Sequence, residues 1–184
     1  AEPWVAVPTL AAAAVEKGVV IRESSAVRGL DIAAGRVVGV MTEAGRVACD
    51  HVVVAAGAWS RLFLGQYGIR IPQLSVLASV AATEPMPEIL PGNAADDDFA
   101  FRRRADGGYS IAPGAWHDFF IGRDAVQSVG VYLPVLKKDF RSTNFRPAAP
   151  KGFPDAWSTP RRWSLDRESP FERQRILNPA PNMG

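Results

Sequence analysis

Three consecutive arginines, Arg102-Arg103-Arg104, lead into Asp106-Gly107-Gly108-Tyr109, with Trp116 a little further on. Side chains alternate along a strand, so one face of the run carries Arg102 and Arg104 and the other only Arg103. A guanidinium fork matches a carboxylate bidentately, which makes Arg102 and Arg104 candidates for gripping an anionic ligand, with Tyr109 and Trp116 as an aromatic wall. The competing reading leaves the arginines solvated or paired with Asp96, Asp97 and Asp98, the commoner fate of a surface charge run. Tyr109 and Trp116 are then core residues, the usual place for aromatics in a sheet-and-helix sandwich.

Other reactive side chains are sparse. There are two histidines and one cysteine. His117 and Asp118 are neighbours, so on a strand they face opposite ways and form no catalytic pair. His51, next to Asp50 in a turn, is expected to be exposed. No G-x-S-x-G occurs, and serine hydrolysis has no support. Cys49 alone excludes an internal disulfide and a C-x-x-C zinc site, and it reads as a small apolar filler; no metal site is expected.

A different chemistry is carried by His51-Val52-Val53-Val54-Ala55-Ala56-Gly57-Ala58-Trp59-Ser60. The apolar run suits a strand buried on both faces, as in a parallel sheet covered by helices. Backbone at the carboxyl end of such a strand lies against a ligand only where side chains are tiny or absent, as at Ala55, Ala56 and Gly57. Small residues there also let the next helix pack tightly on the sheet, and spacing alone favours that plainer reading. No two of the 16 glycines are separated by a single residue. The chain therefore has no G-x-G-x-x-G to hold a pyrophosphate at a helix N-terminus, and no P-loop.

The elements that must position these residues follow from local pattern. Pro8 to Glu16 predicts a helix stopping near Gly18, and Val19-Val20-Ile21 a short strand. Ala26–Ile32, Arg36–Thr42 and Gly45–Cys49, separated by Ala34-Gly35 and Glu43-Ala44-Gly45, predict a three-stranded antiparallel meander. Ala58 to Leu64 continues as a short helix. Leu74 to Thr83 reads as one long strand, broken afterwards by Pro85, Pro87 and Pro91. Asp106-Gly107 between two β-prone runs signals a hairpin. Phe119 to Ile121 supplies a strand, and Asp124 to Val129 a helix running toward Pro134.

The 184 residues are 47% apolar with a net charge of +2, an ordinary globular composition. That charge is too small to argue for nucleic acid, and no apolar run approaches the ~20 residues of a membrane span. A cytoplasmic location is the expectation. All but two of the 15 prolines lie at or after Pro72. The shift suggests an α/β part over residues 1–70 and an α+β part over 71–184, the latter an antiparallel sheet with helices on one side. The chain opens Ala1-Glu2-Pro3-Trp4 without a methionine, and a piece of a longer polypeptide is expected.

Helix, strand, meander and apolar run ending in Ala-Ala-Gly together resemble the second half of a two-dinucleotide-binding-domain flavoprotein. Gly35-Arg36-Val37-Val38-Gly39-Val40 and Val52 to Ser60 resemble the D-amino-acid oxidase superfamily, in its glycine oxidase and sarcosine oxidase-like branch. The resemblance implies part of a Rossmann-like FAD-binding domain with a β-meander crossover, then an antiparallel-sheet substrate domain. It implies FAD as cofactor, with Val27, Ala55, Ala56 and Gly57 as contacts, and reverses the plainer reading of the small residues.

Phe101 to Tyr109 is similar to the family's substrate-domain hairpin, whose sheet roofs the flavin, so Arg102, Arg104, Tyr109 and Trp116 become substrate candidates. Phe171 and Asn178 to Asn182 extend the likeness. The implied reaction oxidises an amine or amino acid at its C–N bond to an imine, with catalytic residues not identified here. Lacking the glycine fingerprint, the segment alone is expected to bind flavin weakly and to be inactive. The rival reading is a noncatalytic module that docks a partner through its Arg/Trp/Pro-rich end.

Overall fold

The computed structural model describes residues 2–113 and 117–171. Three small sheets and three helices make an α/β chain with antiparallel and mixed sheets. Helix α1 runs Pro3–Glu16, longer than expected, because Pro3 sits at the first helical positions where its missing N–H costs nothing. Pro8 lies inside it. Its end is a Schellman turn: Gly18 N–H donates to Val15 O, Val19 N–H to Ala14 O, and Gly18 takes φ +88°. No residue of α1 is buried.

The meander forms as the turn residues dictate. β1 (Val27–Ala33), β2 (Arg36–Thr42) and β3 (Gly45–Ala48) pair antiparallel in the order β1-β2-β3. The β1–β2 turn takes positive φ at Ala34 and Gly35, and the β2–β3 turn at Gly45. Arg46 Nε lies 2.5 Å from Asp31 Oδ2, bridging the two outer strands.

Two expected strands are absent. Val19–Ile21 and the run 51–56 form no ladder with any described residue, and Val53 is 92% exposed. A strand needs a neighbouring strand to pair with, and none among the described residues pairs with either segment. The buried parallel strand expected from the apolar run is therefore an exposed extended segment. After it, Gly57 takes φ +52° and opens a 3-10 turn, Gly57–Trp59, leading into α2 (Ser60–Gly65).

The expected long strand 74–83 is split. β4 (Val76–Leu77) joins β9 (His117–Phe120) and β10 (Thr143–Arg146), whereas β5 (Ala81–Ala82) joins a four-stranded sheet in the order β5-β8-β7-β6. In that second sheet β6 is Asn93–Ala95, β7 Phe99–Arg103 and β8 Tyr109–Pro113, all antiparallel. The Asp106-Gly107 hairpin is present, with Gly107 at φ +88°. β9 and β10 are parallel, joined through α3 (Arg123–Asp139), so this sheet is mixed rather than purely antiparallel. The helix passes through Pro134, where the sequence suggested an end; the proline leaves only Gly130 O without its helical donor.

Contacts cross the proline shift at Pro72. Arg61 Nη1 donates to Ile71 O (2.9 Å) and Gln73 O (3.2 Å), and the Tyr132 hydroxyl donates to Pro72 O. The buried apolar residues include Leu62 and Phe63 of α2, Tyr109 of β8, and Phe119 and Phe120 of β9. No helix among the described residues is long and apolar enough to cross a membrane.

Candidate functional site

An apolar cleft of about 570 Å3 opens between the start of the meander and the extended segment. Val27 and Val40 form one wall, Val52 to Ala56 another, and Trp59, Phe63, Pro170 and Phe171 the floor. Val27, Ala55 and Ala56, distant in sequence, thus meet on one surface. Gly57 is not on the lining; its positive φ turns the chain from that wall into α2. The volume falls within the ~300–1,000 Å3 range of small-molecule sites.

Phe171 is the hub of the floor. Its ring centroid lies 5.5 Å from Trp59, 5.4 Å from Phe63 and 5.0 Å from Trp163, each edge-on. Trp163 Nε1 donates to Arg28 O at 2.8 Å, and Leu30 N–H donates to the Tyr67 hydroxyl at 2.5 Å, so both anchors grip β1 beside the cleft. Gly29 leaves room for this: a Cβ there would meet Leu165 Cδ2 at 2.3 Å and Tyr67 Oη at 2.6 Å, and both side chains would have to shift.

No charged side chain among the described residues lines the cleft. Its apolar walls and small residues fit a planar ring system and its sugar. They offer nothing that would neutralise a pyrophosphate, whose donors must come from outside these residues.

The hairpin candidates separate. Arg102 faces a shallow concavity on the β5-β8-β7-β6 sheet, with Asn93, Ala95, Ala100, Ser110 and Ala112. Its guanidinium lies 5.1 Å from the Trp4 ring centroid of α1. Arg104 is held by its own hairpin, with Nη2 2.5 Å from Asp106 Oδ2 and donating to Thr83 O at 3.1 Å. That guanidinium holds the Asp106 carboxyl below its ordinary value. Arg103 Nη1 donates to Met86 O at 3.0 Å.

Tyr109 is 3% exposed, and its hydroxyl accepts from Ile89 and Leu90 N–H and donates to Leu90 O. Trp116 lies outside the described residues, as do Asn178 to Asn182. His117 and Asp118 turn to different partners, Thr143 Oγ1 at 3.3 Å and Arg146 Nε at 3.1 Å. Cys49 is half-buried and His51 exposed.

Sequence reasoning missed a buried charge cluster between α2 and α3. Arg61 Nε lies 3.2 Å from Asp124 Oδ1, and Arg161 Nη1 2.9 Å from Asp124 Oδ2; Arg61 is 9% and Asp124 6% exposed. One signal could have found it: no Asp or Glu occurs between Asp50 and Glu84, so an arginine inside an apolar helix must find its partner far away.

Behind the cluster, Asp155 is 2% exposed and neither carboxylate oxygen has a hydrogen-bond partner among the described residues. Burial, and then the charge of Asp124, push its carboxyl above its ordinary value. A raised folded value means that the native state binds more protons than the unfolded chain, so stability falls as pH rises through that window and then levels. Asp155→Asn removes this loss. Its stability relative to the parent chain is expected to climb as pH rises from the ordinary carboxylate range toward neutrality, in urea unfolding at each pH. Parallel pH profiles would contradict it.

The family described as DAO, FAD dependent oxidoreductase, matches residues 1–179. The chain belongs to this family. Among curated members it is 30% identical over 145 residues to a glycine oxidase of Pseudomonas putida, covering 73% of this chain and 40% of that protein. It is 44% identical over 63 residues to a D-amino acid dehydrogenase of Sinorhizobium medicae, covering 34% of this chain and 15% of the relative. Among solved structures it resembles the L-amino acid deaminase of Proteus myxofaciens, determined in complex with anthranilate, at 34% identity and TM-score 0.79 over 92% of this chain. The L-amino acid deaminase of Proteus vulgaris gives 31% and 0.77, again over 92%. The chain spans 37% and 39% of those two structures, well under half of each.

Proposed function

We propose that this chain forms the middle of an FAD-dependent oxidoreductase that oxidises an amino acid or amine at its C–N bond. The observation that carries the reading is the apolar cleft, which gathers Val27, Ala55 and Ala56 onto one surface. Ala55 and Ala56 expose backbone at the mouth, and the Phe171 cluster keeps the floor dry, the conditions under which a dinucleotide's ring and sugar lie against a chain. Gly57 sets the turn that ends this wall. When bound, FAD supplies a two-electron acceptor for the hydrogen and electron pair leaving the carbon that bears the amine, and water hydrolyses the imine to ammonia and a carbonyl compound.

The β5-β8-β7-β6 sheet is the substrate side of this reading. Arg102, on its concave face beside the Trp4 ring, is the guanidinium read as orienting a substrate carboxylate, whereas Arg104 is bound to Asp106 and Thr83. Tyr109 supports that sheet from within the core rather than from the wall. Residues 1–70 contribute the cofactor wall and 71–184 the substrate sheet; neither supplies a pyrophosphate anchor. Alone, the chain is read as inactive. Of the aromatics in the Arg/Trp/Pro-rich end on which the rival partner-docking reading rests, Trp163 and Phe171 pack onto α2 and the meander, whereas Trp157 is 60% exposed.

The test is flavin uptake. Protein with the natural sequence on both sides of this segment is expected to purify with FAD, released on heating, and to reduce it with an amino acid. Ala56→Trp, which fills the cleft, is expected to weaken FAD binding at least tenfold in a fluorescence titration, and residues 1–184 alone to take up little. An extended protein that never holds FAD would overturn the reading. Tight stoichiometric binding by residues 1–184 alone would overturn the inactive-segment part.

A further inference from the structure

On the side of α2 opposite the apolar cleft lies a second, smaller concavity of about 180 Å3, at the N-terminal end of α3. It is bounded by Arg61, Arg70, Arg123, Arg161 and Arg162, with Asp124 as the single acid. Five guanidiniums against one carboxylate leave a strong local excess of positive charge in a chain whose net charge is only +2.

Asp124 is spent. Its two oxygens go to Arg61 and Arg161, and Arg61 also serves Ile71 O and Gln73 O. Arg161 Nη2 is sealed from water and has no hydrogen-bond partner among the described residues. Arg70, Arg123 and Arg162 stand exposed at the rim, and none pairs with a carboxylate among the described residues. Gly122, the residue capping α3, has no side chain to satisfy the helix's first N–H groups. A concavity holding unspent guanidiniums focuses potential on an anion that enters it.

We propose that this concavity binds a compact oxyanion of the phosphate class. Planar guanidinium forks match phosphate oxygens bidentately. The space is about a third of the apolar cleft's volume, room for one tetrahedral anion, and no apolar wall comparable to Trp59 and Phe171 lines it. The anion is either free phosphate or the exposed phosphate of a larger metabolite whose remainder projects through the mouth. The site stands independently of the flavin reading, because α2 turns Phe63 toward the cleft and Arg61 toward this concavity.

Equilibrium dialysis of the full chain against labelled inorganic phosphate, at ionic strength held constant with chloride, tests it. Saturable uptake at one site is expected. Arg123→Gln with Arg162→Gln should weaken uptake at least tenfold while leaving the urea midpoint unchanged, since both side chains are exposed. Arg36→Gln, an exposed arginine on the meander, removes one positive charge elsewhere, half the change of the double variant, and should leave uptake unaltered. AMP run in parallel separates the sources: tighter binding than phosphate, abolished in the same double variant, means a nucleotide-borne group, and equal binding means free phosphate. Absence of saturable uptake, or an equal loss in Arg36→Gln, would overturn the proposal. FAD uptake by the double variant in the extended protein should be normal.

Discussion

Asp124→Ala is expected to lower the unfolding free energy by about 3–5 kcal/mol, the cost of removing one partner from a buried ion pair. Two guanidiniums lose their shared counter-ion at once, and Arg61, only 9% exposed, is left with little water to replace it. α3 also loses the one acid in its first turn, which faces the positive end of the helix dipole. Arg61 keeps its bonds to Ile71 O and Gln73 O, which places the effect toward the lower end. Urea unfolding of the chain measures it. A companion variant, Asp124→Leu with Arg61→Leu, removes the uncompensated charge together with its partner and should recover part of the loss. A double variant no more stable than Asp124→Ala would show that the stranded charge is not the cause.

Tyr109→Ala should cost a comparable ~3–5 kcal/mol, as truncating a buried aromatic does. The ring packs on Phe101 (5.8 Å between centroids) and lies under Arg103, whose guanidinium carbon is 4.8 Å from its centroid. Tyr109→Phe isolates the hydroxyl. With it gone, Ile89 and Leu90 N–H lose their acceptor and Leu90 O its donor, and about 1–3 kcal/mol should follow. In the extended protein, Tyr109→Phe should leave the KM for the amino acid unchanged. A stable Tyr109→Phe with a raised KM would return this side chain to the substrate wall that its position in the hairpin first suggested.

What could be read from the sequence was what is decided within a few residues. The meander turns at Ala34-Gly35 and Gly45, the Asp106-Gly107 hairpin and the Gly18 helix stop depend on local φ preferences, and all appear where expected. Val19–Ile21 and Val52–Val54 have strand composition without strand structure, because pairing belongs to two segments and composition to one. Leu74–Thr83 has uniform β character, yet β4 and β5 join different sheets, a choice made by tertiary contacts with β9 and β8. In the candidate site, small residues marked one wall of the cleft. The floor depends on Phe171 meeting Trp59 and Phe63 across a long sequence interval, which no local spacing encodes. The Arg61–Asp124 pair was hidden for the same reason.

The extended segment 52–56 carries a second consequence, for handling rather than for ligands. Its backbone joins no described ladder, Val53 is 92% exposed, and no charge or proline interrupts the run. Those are the properties of a template that recruits other chains edge to edge. Concentrated protein is therefore expected to associate through this wall. On the function proposed above, FAD in the cleft would cover it, and aggregation of the extended protein, followed by light scattering, is expected to fall when FAD is added.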